Sequence, residues 1–347
     1  MKTFTLRFKT VTPLLQIENK IDSKSKSAEI NKTDTKKRPF FINATRVEHP
    51  IYSANGFIGL LRREVTDIVM EAAILAGIEV DKDFISDFHY MNAGGGTGTE
   101  SQPIEVREKI KDANPVVSIF GTALLVPGKI IVHDFIPTEN FMNRYYEWDT
   151  ENGKWYKSEL IGIDGIVKND DVADYNHYAR FFTIDDVTFW TEKSKENQKE
   201  RKIAKEMAKN ENNGDDKDKK EVKKTDIKNL MSREYVIPGT EFISYMKFKE
   251  ELTDVEFGLL LKGLKNALKK QLGSIKSKGW GVVSYNITNN DEQETLVSYP
   301  KNGNLVDIAV EETYDEDESR AIAIADEWLE NIKPENIKVS MFLKKAE

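Results

Sequence analysis

The chain contains no cysteine. That excludes disulfides, thiolate nucleophiles and cysteine-ligated metals, and it fits a reducing cytoplasm. Histidine is scarce as well: His49, His89, His133 and His177 lie far apart and show no H-x-x-x-H or similar ligand spacing, so His133-Asp134 lacks the companions of a metal phosphohydrolase. No apolar run is long enough to span a membrane. The start, Met1-Lys2-Thr3-Phe4-Thr5-Leu6-Arg7-Phe8, alternates polar and apolar residues like a strand and does not form the core of a signal peptide. A phosphate-binding fingerprint is missing too. In Asn92-Ala93-Gly94-Gly95-Gly96-Thr97-Gly98-Thr99 the last position of a G-x-G-x-x-G is Thr99, and no Gly-Lys-Ser or Gly-Lys-Thr follows. This stretch reads as a mobile loop that either lies along a ligand backbone or is a plain linker.

What is present is a 347-residue chain with 10% aromatics, enough for a sizeable core in one large domain or two smaller ones. Its net charge of −8 argues against a simple basic nucleic-acid binder, but the charge is unevenly placed. Residues 1–63 hold 13 Lys or Arg against 5 Asp or Glu, while residues 284–347 hold 6 against 15. Local patches therefore decide whether a polyanion is bound.

The most distinctive stretch is Leu272-Gly273-Ser274-Ile275-Lys276-Ser277-Lys278-Gly279-Trp280-Gly281. Before it, Phe257, Leu260, Leu261, Leu264 and Leu268 recur at helical spacing; after it, Val282-Val283-Ser284-Tyr285 reads as a strand. Three glycines admit a tight turn or a close approach, and Lys276 and Lys278 put positive charge on it. Such a turn suits a phosphate backbone; the plainer alternative is a helix C-cap with solvated lysines.

In chain order, Thr3–Val11 reads as a strand, and residues 16–45 as a long polar loop carrying Lys32, Lys36, Lys37 and Arg38 before Phe40-Phe41-Ile42. Read singly, these lysines are solvated surface; their density next to aromatics marks the stretch. Ser53–Ala76 has a helical stripe of Phe57, Leu60, Leu61, Val65, Ile68, Val69, Ala72 and Leu75, with Ser53 or Asn55 as cap and Gly77 as stop. Arg62 and Arg63 on it either fork onto phosphates or pair with Glu64, Asp67 or another element. Two apolar runs, Pro115–Gly121 and the strand Lys129–Ile136, precede the aromatic-rich residues 137–190, where Trp148–Trp155 reads as a hairpin turning at Asn152-Gly153. Thr191–Lys224 is charged and free of aromatics, a solvated helix or a disordered insertion. Strand character returns over Tyr235–Phe248. Beyond the glycine turn come acidic Glu311–Glu318, a helix over Ala321–Ile332 and a strand over Ile337–Leu343.

Without insertions the order is strand, helix, strands, insertion, strand, helix, strand. This predicts an α+β fold with an RRM-like or ferredoxin-like βαββαβ core, helices on one face and the other free for ligand.

On these residues the chain resembles the RAMP superfamily (repeat-associated mysterious proteins). The glycine turn Leu272–Gly281 is similar to the family's late glycine-rich turn. Ser53-Ala54-Asn55-Gly56-Phe57-Ile58-Gly59-Leu60-Leu61-Arg62-Arg63 is similar to its Ser/Gly-rich helix start leading to Leu-Arg. Ser118-Ile119-Phe120-Gly121 followed by Gly128–Asp134 is similar to its Phe-Gly turn and strand ending in Asp. The resemblance is to the backbone subunit of class 1 CRISPR effector complexes, nearest the type IV kind because Tyr52-Ser53-Ala54-Asn55-Gly56 replaces the usual Pro-Gly-Ser and because of the Asn-Ala-Gly-Gly-Gly loop.

The resemblance implies a palm of residues 1–137 and 234–290, a thumb or finger insertion at 138–233, and an acidic C-terminal extension at 291–347. It implies that Lys36, Lys37, Arg38, Arg46, Arg62, Arg63, Lys276 and Lys278 contact guide-RNA phosphates. Asn92, Gly94, Gly95, Gly96 and Gly279 would belong to the loops that let the RNA come close. Implied partners are guide RNA, target nucleic acid, further copies in a helical homo-oligomer, and the 5′-end cap and large subunits, with no cofactor, metal or membrane. Two alternatives remain open. One is a RAMP-family endoribonuclease using Asp22, Asp34 or His49, although neither aspartate sits in a recognisable version of the family's cleavage motif. The other is a structural protein on a ferredoxin-like scaffold.

Overall fold

The computed structural model describes residues 3–18, 30–79, 82–94, 103–122, 126–150, 153–169, 177–181, 203, 227–289, 293–300, 308–312 and 316–339. The chain divides into two compact units. The first comprises Met1–Thr12, Ile51–Phe141 and Pro238–Glu347; the second comprises Pro13–Pro50 and Met142–Ile237. The stretch 13–50, grouped with the palm on sequence, thus clusters with the insertion.

In the first unit we label β1 Thr3–Thr10, α1 Ala54–Leu75, α2 Lys82–Ala93, α3 Ile104–Ala113, α4 Pro115–Phe120, β2 Ile130–Val132, β3 Glu241–Phe248, α5 Asp254–Leu268, β4 Val283–Asn289, β5 Gln293–Pro300, β6 Ile308–Glu312 and α6 Glu316–Glu330. The sheet runs β6-β5-β4-β1-β3-β2 with every neighbouring pair antiparallel, and Ile136–Pro137 adds a short strand beside β3. Its inner order, β4-β1-β3-β2, is that of two interlocked split βαβ units: α1 carries the chain from β1 to β2, and α5 carries it from β3 to β4. The fold is α+β with the expected βαββαβ core.

Alternation fixes which face is covered. Phe4, Leu6 and Phe8 of β1 and Phe242, Met246 and Phe248 of β3 are buried. Phe8 stacks on Phe242 with ring centroids 4.9 Å apart, and Phe4 lies 6.2 Å from Phe257 of α5, so this face receives the helices. Each such ring contributes about 1.5–3 kcal/mol when withdrawn from water. Ser53 caps α1 by accepting from the Gly56 N–H at 3.2 Å. A capping box of Thr253 and Glu256 starts α5, and the Glu256 carboxylate also takes Lys129 at 2.9 Å. Gly263 lets α5 close onto Val65 of α1, and Gly258 lets it close onto Ala321 and Ala325 of α6. The apolar stripe of α1 fades at its end, where Leu75 is 81% exposed.

The second unit contains two four-stranded sheets. One runs His177–Phe181, Ile161–Asn169, Ile227–Val236, Ile30–Thr33, and the other Lys37–Ile42, Thr45–Pro50, Gly153–Ser158, Tyr145–Thr150. In the second sheet Trp148 faces Trp155 across the expected hairpin, whose turn at residues 151–152 lies outside the described residues.

Several expectations change. The polar loop over residues 16–45 contains strands, Ile30–Thr33 and Lys37–Ile42; the latter turns through Asn43 and Ala44, both at positive φ, into Thr45–Pro50. The run Pro115–Gly121 holds the short helix α4, capped by Asn114. Asn92 and Ala93 belong to helix α2 rather than a loop. At Ile337–Val339 the described chain follows a 3₁₀ turn, Pro334–Asn336, and forms no strand; residues 340–343 lie outside the described residues. The charged stretch Thr191–Lys224 also lies outside them, Ile203 excepted.

Gly258→Ala is expected to destabilise the first unit by about 1–3 kcal/mol. Its methyl would meet the Ala321 carbonyl, which α6 holds in place, and the overpacking outweighs the helix-propensity gain. Thermal unfolding of the purified variant checks this; an unchanged or raised melting temperature would contradict the packing described.

Candidate nucleic-acid interface

The turn that joins α5 to β4 is shaped by its backbone. Gly273, Ile275, Gly279 and Gly281 all have φ between 61° and 84°, a region costly for side chains with a Cβ. The Leu272 N–H donates to the Gly281 carbonyl at 2.8 Å and closes the loop. A Cβ at Gly281 would collide with the Leu272 carbonyl oxygen, whereas a Cβ at Gly279 would meet nothing within 4 Å. Gly281 is thus required by a close approach within the protein. Gly279 is required by its dihedral alone and borders open space. A short 3₁₀ turn holds Lys276 and Lys278 in solvent between them.

Three sequence-distant segments converge here. Val282 accepts from the Val11 N–H at 2.9 Å and donates to the Thr12 hydroxyl at 2.9 Å, tying the end of the turn to the exit of β1. Tyr52, just ahead of α1, shares a hydrogen bond with the Gly273 backbone; burial pushes its phenol up to about 12, with that bond and Arg63 opposing. Asp134, after β2, accepts from the Ala54 N–H at 2.7 Å and satisfies an orphan donor at the start of α1. The Lys276 ammonium lies below its ordinary range, first through partial desolvation and then through Arg63 and Lys270, with Glu64 opposing. Glu64 is itself buried and takes Lys270 at 3.6 Å. Exposed Arg63, Lys276 and Lys278 therefore form a cationic edge, on which partial desolvation and the neighbouring Arg63 and Lys270 disfavour the charge of Lys276.

The other candidates have different employment. Arg62, one position from Arg63, turns inward: its Nη2 donates to the Phe120 and Gly121 carbonyls at 2.7 and 2.8 Å, its guanidinium lies 5.5 Å from the Phe120 ring centroid, and burial lowers its pKa. It satisfies the end of α4 instead of facing a phosphate. Gly94, at φ 82°, is where a Cβ would strike the Arg62 guanidinium, so this glycine serves that arginine. Asn92 is half-buried on α2, and Gly95 and Gly96 lie outside the described residues.

In the second unit, Lys37 is ion-paired with buried Glu234 at 2.7 Å. Lys36 is half-buried and gives its backbone N–H to Gln16. Arg38 is exposed, and Arg46 pairs with Glu48 at the surface at 3.1 Å. Lys32 sits on the strand Ile30–Thr33.

His49 is fully buried. Its Nε2 donates to the Met142 carbonyl at 2.8 Å, which leaves Nδ1 to accept from the Ser158 hydroxyl at 2.6 Å. With both nitrogens engaged and its pKa lowered by desolvation, it has none left for a substrate proton. Asp34 lies in a strand-like segment whose carbonyl accepts from the Glu18 N–H, and Asp22 lies outside the described residues. Among the described residues no group of three or more His, Cys, Asp or Glu could hold a metal, and no helix is long and apolar enough to cross a membrane.

The chain is similar to a chain of a solved structure titled "Type IV-B CRISPR Complex", at 12% identity over 87% of this chain and 96% of that one, with a TM-score of 0.44. No family model and no curated protein matches it.

Sequence reasoning missed Tyr52 and Lys270. Tyr52 stands directly before the cap Ser53, a position at which a phenol pinning a remote glycine has no local signature. Lys270 lies just past the end of α5, where a cation is an ordinary partner of the helix dipole.

His49 generates a pH dependence. Its folded pKa lies below the ordinary histidine value of 6.5, so the unfolded chain takes up the proton first. Its stabilisation is fully present above that value and is lost as pH falls below it. Melting curves at about pH 7.5 and 5.5 are expected to show a larger acid loss for the wild type than for His49→Gln; equal losses would contradict the assignment.

Proposed function

We propose that this chain is a non-catalytic backbone subunit of a class 1 CRISPR effector complex, most like the type IV kind. In this reading it polymerises along a guide RNA through sequence-independent phosphate contacts and presents the guide for pairing with target nucleic acid. The observation that carries the reading is the convergence of the three RAMP-like motifs at one end of the sheet's strands: the α1 start, the strand ending in Asp134, and the turn with Lys276. A family built to hold RNA there needs cations facing open space beside backbone without Cβ atoms, and Arg63, Lys276, Lys278 and Gly279 supply that arrangement.

Phosphate contacts position the strand and leave the sequence to base pairing. Arg38 and Arg46, exposed on the second unit, and Lys36 beside them are further candidates for the same backbone. Lys37 and Arg62 are not, because removing either from its present partner would strand Glu234 or the α4 carbonyls. Further copies, a 5′-end cap subunit and a large subunit are the partners this reading requires, with no cofactor. The nuclease reading is weakened by the buried, doubly bonded His49.

The test is binding of the purified chain to a long labelled single-stranded RNA at two salt concentrations, with the products viewed by electron microscopy and on a denaturing gel. Regular salt-sensitive filaments on intact RNA are expected. The slope of log affinity against log salt should fall by ~0.7 for each of Arg63→Gln, Lys276→Gln and Lys278→Gln. Cut RNA would transfer the case to the nuclease, and absence of binding at low salt would end both readings.

A further inference from the structure

Among the described residues, three that are not glycine have positive φ: Asn43, Ala44 and Ile275. Asn43 and Ala44 form the two-residue turn of a hairpin, which demands that backbone. Ile275 stands alone at φ 61° and ψ 32°, in the left-handed region where a β-branched side chain is a rare outlier. At the other positive-φ positions of the same turn, 273, 279 and 281, the chain uses glycine. The Ile275 side chain is half-buried and lies outside the core, so packing does not account for an isoleucine where glycine or asparagine would sit at less cost.

The strained residue decides where the lysines point. In its left-handed conformation the Ile275 carbonyl accepts from the Lys278 N–H at 3.0 Å and starts the 3₁₀ turn, which the Gly279 N–H continues by donating to Lys276 at 2.9 Å. In the right-handed or extended region the same carbonyl would turn away, and Lys276 and Lys278 would leave the edge they share with Arg63. Such strain persists only where neighbours over-determine it. Two fastenings flank it here. One is the closure of Leu272 on Gly281, and the other is the hydrogen bond of the Tyr52 phenol with the Gly273 backbone. Tyr52 is itself immobile: it is buried, it exchanges backbone hydrogen bonds of 3.0 and 2.8 Å with Phe135, and its ring centroid lies 6.1 Å from that of Phe8 and 6.0 Å from that of Phe135.

We propose that Ile275 is a positioning residue for the guide-tracking edge and that Tyr52 is its brace. The branched side chain confines the arch between Gly273 and Gly279 to one conformation, so Lys276 and Lys278 meet the phosphates already in place. The inference rests on the reading of that edge given above. Glycine at 275 would adopt the same backbone without strain, but it would adopt many others too, and both lysines would then lose more freedom on binding. Ile275 touches no phosphate; it acts through Lys276 and Lys278.

The experiment measures binding of the full chain to a labelled single-stranded RNA at low salt, together with the melting temperature of each protein. The variants are Ile275→Gly, Ile275→Val and Tyr52→Phe, and Lys276→Gln plus Lys278→Gln with and without Ile275→Gly. Ile275→Gly is expected to weaken binding by roughly 2- to 10-fold without lowering the melting temperature, because relief of strain offsets the added freedom of the unfolded chain. Ile275→Val, still β-branched, should bind as the wild type does. Tyr52→Phe, which lacks the bracing hydroxyl, should weaken binding. In the background without the two lysines, Ile275→Gly should weaken binding no further.

Unchanged affinity in Ile275→Gly overturns the proposal. So does equal weakening with and without the lysines, which would put Ile275 itself on the RNA. A joint loss of melting temperature and affinity in Ile275→Gly and Ile275→Val alike also overturns it and leaves Ile275 a structural role. If the two lysines matter and Ile275→Gly does not, the positioning role falls and the guide-tracking edge stands. If removing the lysines changes nothing, both fall.

Discussion

The arrangement depends on one closure, the hydrogen bond from the Leu272 N–H to the Gly281 carbonyl, with no Cβ at residue 281 to keep the two strands of the turn apart. Once the loop is closed, its geometry leaves little choice. Gly273 falls where the Tyr52 phenol can reach its backbone, Val282 falls against Thr12, and the intervening 3₁₀ turn can only project its lysines outward beside α1. The βαββαβ topology supplies the rest. Because β4 lies next to β1, the turn entering β4 must pass the exit of β1.

This geometry assembles like charges in a protein of net charge −8. Partial desolvation, and after it the nearness of Arg63 and Lys270, lowers the pKa of Lys276. Buried Glu64 offsets part of the cost from one side and leaves the outer side positive. In the proposed reading, this edge is the one that meets the guide phosphates. The acidic charge is carried elsewhere, on the C-terminal stretch that includes α6, so the molecule keeps net charge for solubility without cancelling its cationic edge.

Much of the fold was legible because hydrophobic periodicity survives long insertions. The stripes of α1 and α5 and the alternation in β1 and β3 name the core elements and their order, and the order implies the sheet. What escaped had local causes. Asn43-Ala44 places alanine where glycine usually announces a tight hairpin, so the strand pair on either side read as loop. Arg62 and Arg63 are adjacent letters, but neighbouring helical positions point about 100° apart, so one guanidinium caps α4 and the other meets solvent. Gly94 looked like a ligand-facing glycine and makes room for Arg62. His49 looked available to substrate until Met142 and Ser158 arrived from more than ninety residues away. Sequence spacing finds elements and turns. Which polar group meets which is decided by contacts between distant segments.

The most direct test of the central claim is whether phosphate comes to Lys276. An ammonium held below its ordinary range by partial desolvation and by neighbouring cations takes up a proton, at a pH near its pKa, when a phosphate arrives and raises that pKa. Calorimetric titration with single-stranded RNA at alkaline pH, run in buffers of different ionisation enthalpy, counts that proton. The account predicts net proton uptake by the wild type that disappears in Lys276→Arg, whose guanidinium stays charged, while binding itself persists. Binding without proton uptake in the wild type, or equal uptake in the two proteins, would place the RNA elsewhere and contradict the account.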